Sequence, residues 1–183
     1  AHRGERWLEA ALQSHSRLDF QPDSWLIVHD ESDAKTSEIV NEHFDAAHQV
    51  IVPTGLGFGA KVSAAINQAP PAQWYWLLHD DVILEPGSLS GLLDEATLAD
   101  DLGAVGPKVR EWPSLRRLLE VGQTITGTGH RELGLEPGEP DAGQFDRPRD
   151  VLAVGTAGML VRATAWQEIG GFDPNLPLFG DDI

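Results

Sequence analysis

Short apolar runs alternate with stretches of helical periodicity along the first 107 residues. The apolar runs lack polar alternation, which is typical of strands covered on both faces. Such an alternating order predicts an α/β fold with a mostly parallel open sheet and helices on both faces. The apolar runs are residues 25–28, 50–52, 74–78 and 103–107, and the helical stretches are residues 6–12, 36–44, 60–69 and 89–99.

Residues 112–144 interrupt this order. They are rich in glycine and concentrate positive charge that is scarce elsewhere, in Arg116, Arg117 and Arg131. A long excursion of this kind within a compact domain is usually functional or mobile. The pattern resumes with an apolar run at 151–154, which predicts another strand, followed by a short helix.

The run from Trp74 to Leu78 leads directly into His79, Asp80 and Asp81. A buried strand cannot keep two carboxylates inside without partners. We therefore expect both acids at the carboxyl end of the strand, where open α/β sheets bind ligands. The run at 25–28 ends in the same way, with a histidine followed by acids.

Three acidic clusters result, at residues 30–33, 80–81 and 181–182. Acids after strands are also ordinary helix caps, so residues 30–33 fit a cap for the helix at 36–44. Residues 80–81 fit a cap as well as a ligand, and residues 181–182 fit a solvated chain end. The clusters alone leave these alternatives open.

Composition narrows the possible functions. A formal charge of −16 over 183 residues argues against sequence-independent nucleic-acid binding, which depends on lysine and arginine. It is compatible with an anionic ligand, because a divalent cation can bridge carboxylates and phosphates. The chain has no cysteine, and no apolar stretch approaches the roughly 20 residues of a membrane helix.

Taken in order, several segments resemble glycosyltransferase family 2, which has the GT-A fold. They correspond to the family's nucleotide-binding strand and turn, its Gly-Phe turn, its Asp-x-Asp element, its acceptor-side strand and its catalytic acidic element. Residues 74–81 and 104–118 look closest to large bacterial members whose catalytic domain is attached to membrane helices. The matching segments are residues 26–32, 57–60, 79–81, 155–162, 170–173 and 179–182.

The resemblance implies a Rossmann-like nucleotide-binding half and an acceptor-side half. It implies one catalytic domain over residues 1–183, expected to be a fragment that lacks the first strand and the C-terminal continuation. The implied reaction is an inverting transfer of a hexosyl-type sugar from a nucleotide-diphosphate donor to a hydroxyl of a glycan or lipid-linked acceptor. The implied setting is cell-envelope glycan synthesis in the cytoplasm, at the inner face of the membrane, with membrane contact only through segments outside this chain.

The resemblance also implies roles for individual residues. Asp182 is expected to be the catalytic base, with Asp181 as the second choice, and Mg²⁺ or Mn²⁺ is expected as the cofactor, bound by Asp81 with Asp80. The chain departs from the family pattern at His79, where the first Asp of the Asp-x-Asp element is usual, and at Asp181, where Glu is usual. The residues expected to contact the donor are Asp30, Glu31, Gly57, Lys61 and Asp80.

Three other functions remain open at this stage. A signalling receiver also gathers acids at strand ends and needs a later lysine, which Lys108 supplies, although the roughly 75 residues after it do not fit a small receiver domain. A non-catalytic nucleotide-sugar-binding module would share the fold without turnover. A nucleotidyltransferase on a related fold would need a basic, glycine-rich loop near the amino terminus.

Overall fold

The computed structural model describes residues 6–173 and consists of short strands and helices. The expected catalytic residues Asp181 and Asp182 lie outside this range. The helices are α1 (Leu8–His15), α2 (Ala34–His43), α3 (Phe58–Ile66), α4 (Ser88–Ala96) and α5 (Ala163–Ile169). The strands are β1 (Ile27–Asp30), β2 (Gln49–Val52), β3 (Trp74–Trp76), β4 (Ala104–Val105), β5 (Val109–Arg110), β6 (Leu118–Glu120), β7 (Thr124–Ile125), β8 (Arg131–Glu132) and β9 (Leu160–Arg162).

The mixed α/β class is confirmed, whereas the mostly parallel open sheet is not. Among the described strands only β1 and β2 pair in parallel, with Asp30 opposite Val52. β9 is the middle strand of a three-stranded sheet and runs antiparallel to both β3 and β4. The sequence order does not reveal this reversal, because a long excursion separates β4 from β9.

Two further strand predictions are corrected. β1 begins and ends two residues later than the apolar run at 25–28, so Asp30 is its last residue and does not follow the strand. The run at 151–154 forms no strand and makes one isolated bridge, from Ala153 to Gln123. Val151 and Leu152 are exposed, so this run lacks the second neighbouring strand that burial would require.

The core lies on both faces of the three-stranded sheet because successive side chains of β9 point in opposite directions. Val161 packs with Leu77 and with Trp166 of α5 on one face. Leu160 packs with residues of α4, including Leu92, on the other face. Helices therefore cover both faces of this sheet, as predicted.

A separate core lies under β1, where Leu8 and Leu12 of α1 pack with Val40 of α2. α2 begins earlier than predicted because Asp33 caps it. The Asp33 carboxylate accepts a hydrogen bond from the Thr36 backbone N–H at 3.1 Å and one from the Thr36 hydroxyl at 2.7 Å. This cap is one of the two roles that the sequence left open for the acids at 30–33.

A cavity of about 470 Å³ lies between β1 and β3, with mostly apolar walls. It extends from α1 to Phe58, His79 and Asp80. Within residues 6–173, β1 pairs with β2 alone and β3 with β9 alone, so each strand has an unpaired edge. The expectation that the chain lacks a first strand stays a prediction.

His15 of α1 lines this cavity and stacks on Trp25, with ring centroids 4.1 Å apart and planes 9° apart. Burial, reinforced by the nearby His43, lowers the pKa of His15 from 6.5 to about 4. In the folded protein the His15 imidazole is therefore neutral, and protonation of His15 favours the unfolded chain.

We predict that stability falls as the pH drops from about 6.5 to about 4, because the unfolded chain binds a proton at His15 before the folded chain does. Replacing His15 with Phe should remove at most roughly 3 kcal/mol of this pH dependence. Urea unfolding of the wild type and of the His15→Phe variant across this pH range measures how the free energy of unfolding depends on pH. His130→Gln, at an exposed histidine, is the control, and an equal pH dependence in the His15 variant would contradict the prediction.

Candidate functional site

The segment after β3 is held by β9 and the turn before it. The Leu77 N–H donates to the Met159 carbonyl at 2.8 Å, and the Gly158 N–H donates to the Leu77 carbonyl at 2.9 Å. The Trp76 indole N–H donates to the Gly158 carbonyl at 3.1 Å. The backbone is therefore fixed up to Leu77, three residues before the first acid of the predicted cluster.

Asp80 and Asp81 occupy the corners of a turn in which the Val82 N–H donates to the His79 carbonyl at 3.4 Å. Asp81 is exposed and Asp80 is half-buried. We call residues 79–82 the acid turn. Its position just past the strand is the one the sequence predicted, and both carboxylates stand where a ligand can reach them.

His79 connects the acid turn to two other segments. Its Nε2 lies 2.8 Å from the hydroxyl oxygen of Thr156, which is buried. Its ring lies 4.9 Å from the ring of Phe58, the first residue of α3. His79 therefore serves as a structural link at the position where the family usually has an aspartate.

The turn at 155–158 is built around two glycines. The Gly155 N–H donates to a Glu120 carboxylate oxygen at 2.6 Å, and a Cβ at Gly155 would stand 2.5 Å from that oxygen. Gly158 has a φ of +117°, and a Cβ there would stand 2.7 Å from the Pro107 side chain. Larger residues at either position would displace the turn and, with it, Thr156.

Asp30 and Lys61, both expected to contact the donor, form an ion pair. The Lys61 Nζ lies 2.8 Å from an Asp30 carboxylate oxygen, and the side chains are 11% and 2% exposed. Lys61 is positioned by α3, where its N–H donates to the carbonyl of Gly57, the N-terminal cap residue, at 3.1 Å. The lysine explains how a carboxylate can end a buried strand.

α3 brings the two groups of predicted residues together. Lys61 and Phe58 are three positions apart on α3, so they share a face of the helix. Lys61 binds Asp30, and Phe58 contacts His79 of the acid turn. Phe58, His79 and Asp80 line the cavity between β1 and β3, and α3 joins them to the buried Asp30–Lys61 pair. Glu31 is exposed in the turn after β1.

The acid turn offers the donor type that Mg²⁺ and Mn²⁺ prefer. Within residues 6–173 the structure gathers no three histidine or acidic side chains in one place that would hold a metal ion. Mg²⁺ in phosphate-binding enzymes is commonly held by one or two carboxylates, with substrate phosphates and waters as the other ligands. Asp80 and Asp81 fit that kind of site.

The other basic residues considered from the sequence lie elsewhere. Lys108 pairs with Asp141 at 2.8 Å and with Asp146, and these hydrogen bonds raise the pKa of its ammonium group. Arg131 pairs with Glu120 at 3.3 Å. Because Lys108 is engaged away from Asp81, the receiver interpretation loses the lysine on which it depended.

A family model described as glycosyltransferase-like family 2 matches residues 1–183. The chain belongs to glycosyltransferase family 2. The mixed α/β architecture, with helices on both faces of the β3–β9–β4 sheet, is consistent with a GT-A-type glycosyltransferase. The resemblance found in the sequence is therefore confirmed at the level of the family.

The curated relatives include the N-acetylglucosaminyl-diphospho-decaprenol L-rhamnosyltransferases of two Mycobacterium tuberculosis strains, CDC 1551 / Oshkosh and ATCC 25618 / H37Rv. Each is 28% identical over 206 residues, an alignment that covers 96% of this glycosyltransferase chain. The chain spans 64% of the length of these relatives. Within residues 6–173, no helix has the length and apolar content needed to cross a bilayer.

Sequence reasoning missed two residues that shape the site. Thr156 binds His79 across 77 positions of sequence, and Glu120 holds the turn that carries Thr156. Thr156 lies within the segment at 155–162 that resembles the family, but neither contact could be read from a local pattern, because both depend on the path of the excursion after β4. The two glycines at 155 and 158 were the only local sign that this turn is tightly packed.

The buried ion pair generates a prediction for stability. Lys61→Met should destabilise the fold by about 3 kcal/mol, because it leaves the Asp30 carboxylate buried without its cation. Urea unfolding at neutral pH measures the change. Lys35→Met, at an exposed position of α2, is the matched control and should change stability by less than about 0.5 kcal/mol. Equal effects of the two substitutions on the free energy of unfolding would contradict the assignment of Asp30 and Lys61 as a buried ion pair.

Proposed function

We propose that this glycosyltransferase family 2 chain is the catalytic domain of a metal-dependent, inverting transferase that uses a nucleotide-diphosphate sugar. The observation that carries the proposal is that α3 links the buried Asp30–Lys61 pair, through Lys61, to the acid turn, through the contact of Phe58 with His79, beside a cavity that Phe58, His79 and Asp80 line. Family membership supports the use of a nucleotide-sugar donor. The single-domain extent over residues 1–183 remains part of the proposal.

The nucleoside end of the donor is assigned to β1 and α3. Asp30, at the end of β1, would accept hydrogen bonds from the base or ribose, and Lys61 would balance its charge. Glu31 and Gly57 lie in the turns that follow β1 and β2, and we assign them contacts to the donor from there. The cavity volume of about 470 Å³ lies within the range of small-molecule sites.

The diphosphate end is assigned to the acid turn. Asp81 would hold Mg²⁺ or Mn²⁺, and Asp80 would add a further oxygen or contact the ribose. When bound, the ion neutralises the diphosphate leaving group as the glycosidic bond breaks. His79 contributes by holding the turn against Thr156 and Phe58, which fixes the direction of the two carboxylates.

The catalytic base is assigned to the acids outside the described residues. Asp182, with Asp181 as the second choice, would take the proton from the acceptor hydroxyl as that oxygen attacks the anomeric carbon from the face opposite the diphosphate. Attack from the opposite face inverts the anomeric configuration. This assignment rests on the family resemblance of the segment at 179–182.

The acceptor is assigned by analogy with the curated relatives, whose name describes transfer of L-rhamnose to N-acetylglucosaminyl-diphospho-decaprenol. We propose a lipid-linked sugar acceptor, a role in cell-envelope glycan synthesis and a position at the inner face of the cytoplasmic membrane. The relatives are longer than this chain, so their remaining length can supply acceptor contacts that residues 1–183 do not.

A second candidate is a binding module that holds the nucleotide sugar without turnover. The chain favours turnover because it presents an exposed carboxylate at Asp81 in addition to the buried Asp30. A module that only binds would show donor binding with neither sugar transfer nor slow donor hydrolysis. The two functions are therefore separated by assaying product as well as binding.

The decisive test is donor binding by an Asp81→Ala variant. We expect the wild-type chain to show a thermal shift with a nucleotide sugar that is larger in Mn²⁺ than in chelator, since the ion bridges Asp81 and the diphosphate. The variant should lose at least about tenfold in affinity, and only in the presence of the ion. A panel of nucleotide sugars, followed by calorimetry on the best one, measures this.

Asp94→Ala is the matched control, because it removes an exposed acid from α4. It should leave both the thermal shift and the affinity unchanged. Asp81→Ala binding as tightly as wild type in Mn²⁺ would overturn the metal assignment. Tight, metal-dependent binding by the wild type without any transfer or hydrolysis would favour the module.

A further inference from the structure

The excursion after β4 contains an exposed apolar and basic surface that the donor site does not use. β5 and β6 form an antiparallel hairpin, and we call residues 111–117 between them the hairpin tip. Residues 112–117 are all exposed. Trp112 is 49% exposed and Leu115 is 39% exposed.

The backbone fixes the shape of the hairpin tip. The Leu115 N–H donates to the Glu111 carbonyl at 2.7 Å, and the Glu111 N–H donates to the Arg117 carbonyl at 2.9 Å. Leu115 has a φ of +55°, which is unfavourable for a branched side chain and is maintained only by its surroundings. This strained leucine is exposed and does not belong to the buried core of the described residues.

The charges of the hairpin tip differ from those of the chain as a whole. Arg116 and Arg117 are exposed, and within residues 6–173 no carboxylate lies within ion-pairing distance of either. The acid of the tip, Glu111, accepts a hydrogen bond from Ser114 at 3.1 Å. In a chain of formal charge −16, the tip is thus a local basic surface.

A second aromatic residue extends this surface. Trp7 packs edge-on against Trp112, with ring centroids 5.9 Å apart, and is itself 38% exposed. The guanidinium of Arg6 lies 4.4 Å from the centre of the Trp7 ring. Two tryptophans, one leucine and three arginines are therefore exposed in the hairpin tip and in the two residues beside it.

We propose that the hairpin tip, together with Arg6 and Trp7, is a docking surface for an anionic lipid bilayer. Tryptophan and leucine enter the boundary between headgroups and acyl chains, while arginine stays at the level of anionic headgroups. The rest of the chain is acidic and is repelled by such a surface, so it approaches only with this patch facing the bilayer. The sequence predicted membrane contact only through segments outside this chain. The proposal adds a contact made by residues within it.

Charge and side-chain type favour a bilayer over a glycan as the partner of this surface. A glycan would be met by aromatic rings together with hydrogen-bonding acids and amides, whereas the charged side chains among the exposed residues 112–117 are arginines that have no ion-pair partner among residues 6–173. The base of the hairpin is tied to the segment after the acid turn, where Arg110 pairs with Glu85. Docking through the tip therefore holds the acid turn near the membrane. The inference goes beyond the proposed function and does not depend on it.

The test is co-sedimentation of the full 183-residue chain with vesicles. Vesicles of equal parts phosphatidylglycerol and phosphatidylcholine should bind the chain in low salt, and pure phosphatidylcholine should bind it much less. Arg116→Gln with Arg117→Gln should weaken binding by about 25-fold, at about fivefold for each arginine. Trp112→Ser with Leu115→Ser should weaken binding in low and high salt alike, because burial of apolar surface does not depend on ionic screening.

Each variant has a matched control. Arg17→Gln with Arg147→Gln removes two exposed arginines outside the patch, and Leu98→Ser with Ile169→Ser removes two exposed aliphatic side chains. Both controls should bind the mixed vesicles as the wild type does. Far-UV circular dichroism and thermal unfolding establish that every variant is folded before binding is compared.

Three binding results would each overturn the proposal, and one kinetic result would do so as well. The binding results are absence of wild-type binding to the mixed vesicles, equal binding to neutral vesicles, and equal loss of binding in the tip variants and their controls. Tip variants that bind vesicles normally but have a raised KM for a glycan acceptor would show that the patch contacts sugar, which would also overturn it. None of these outcomes bears on donor binding at Asp81.

Discussion

The antiparallel pairing of β3 with β9 is the constraint on which the site depends. It fixes Leu77 against Met159 and Gly158, so the chain can turn only after it has passed the end of the sheet. The same pairing brings the turn at 155–158 beside His79, which binds Thr156. Two segments about 80 residues apart thereby define the direction in which the acid turn presents its carboxylates.

The second requirement is charge compensation. In the proposed site, an acidic chain would hold an anionic donor with one carboxylate buried and two nearer the surface. Lys61 neutralises Asp30 from within the fold, at 2.8 Å. Asp80 and Asp81 would share their charge with a divalent cation, and the diphosphate would complete the neutralisation. A family 2 glycosyltransferase with a charge of −16 therefore needs no basic composition to hold its substrate.

The sequence predicted the parts of this structure that local patterns encode. The helices, the acid turn after β3 and the cap role of the acids before α2 each follow from neighbouring residues. The antiparallel β9, the partner of Asp30 and the contact from His79 to Thr156 did not follow, because each joins residues far apart along the chain. The run at 151–154 was wrongly predicted to be a strand. Its composition suits a strand, but among the described residues its one bridge is from Ala153 to Gln123, so no second strand covers it.

A crystal structure with Mn²⁺ and the nucleoside diphosphate that binds best would test the central claim most directly. The account predicts the ion about 2.1 Å from an Asp81 carboxylate oxygen, with the diphosphate on the same ion and the base beside Asp30. The claim would be contradicted by a diphosphate bound instead in the cavity of about 600 Å³ lined by Lys108 and Arg110, with Asp81 facing solvent.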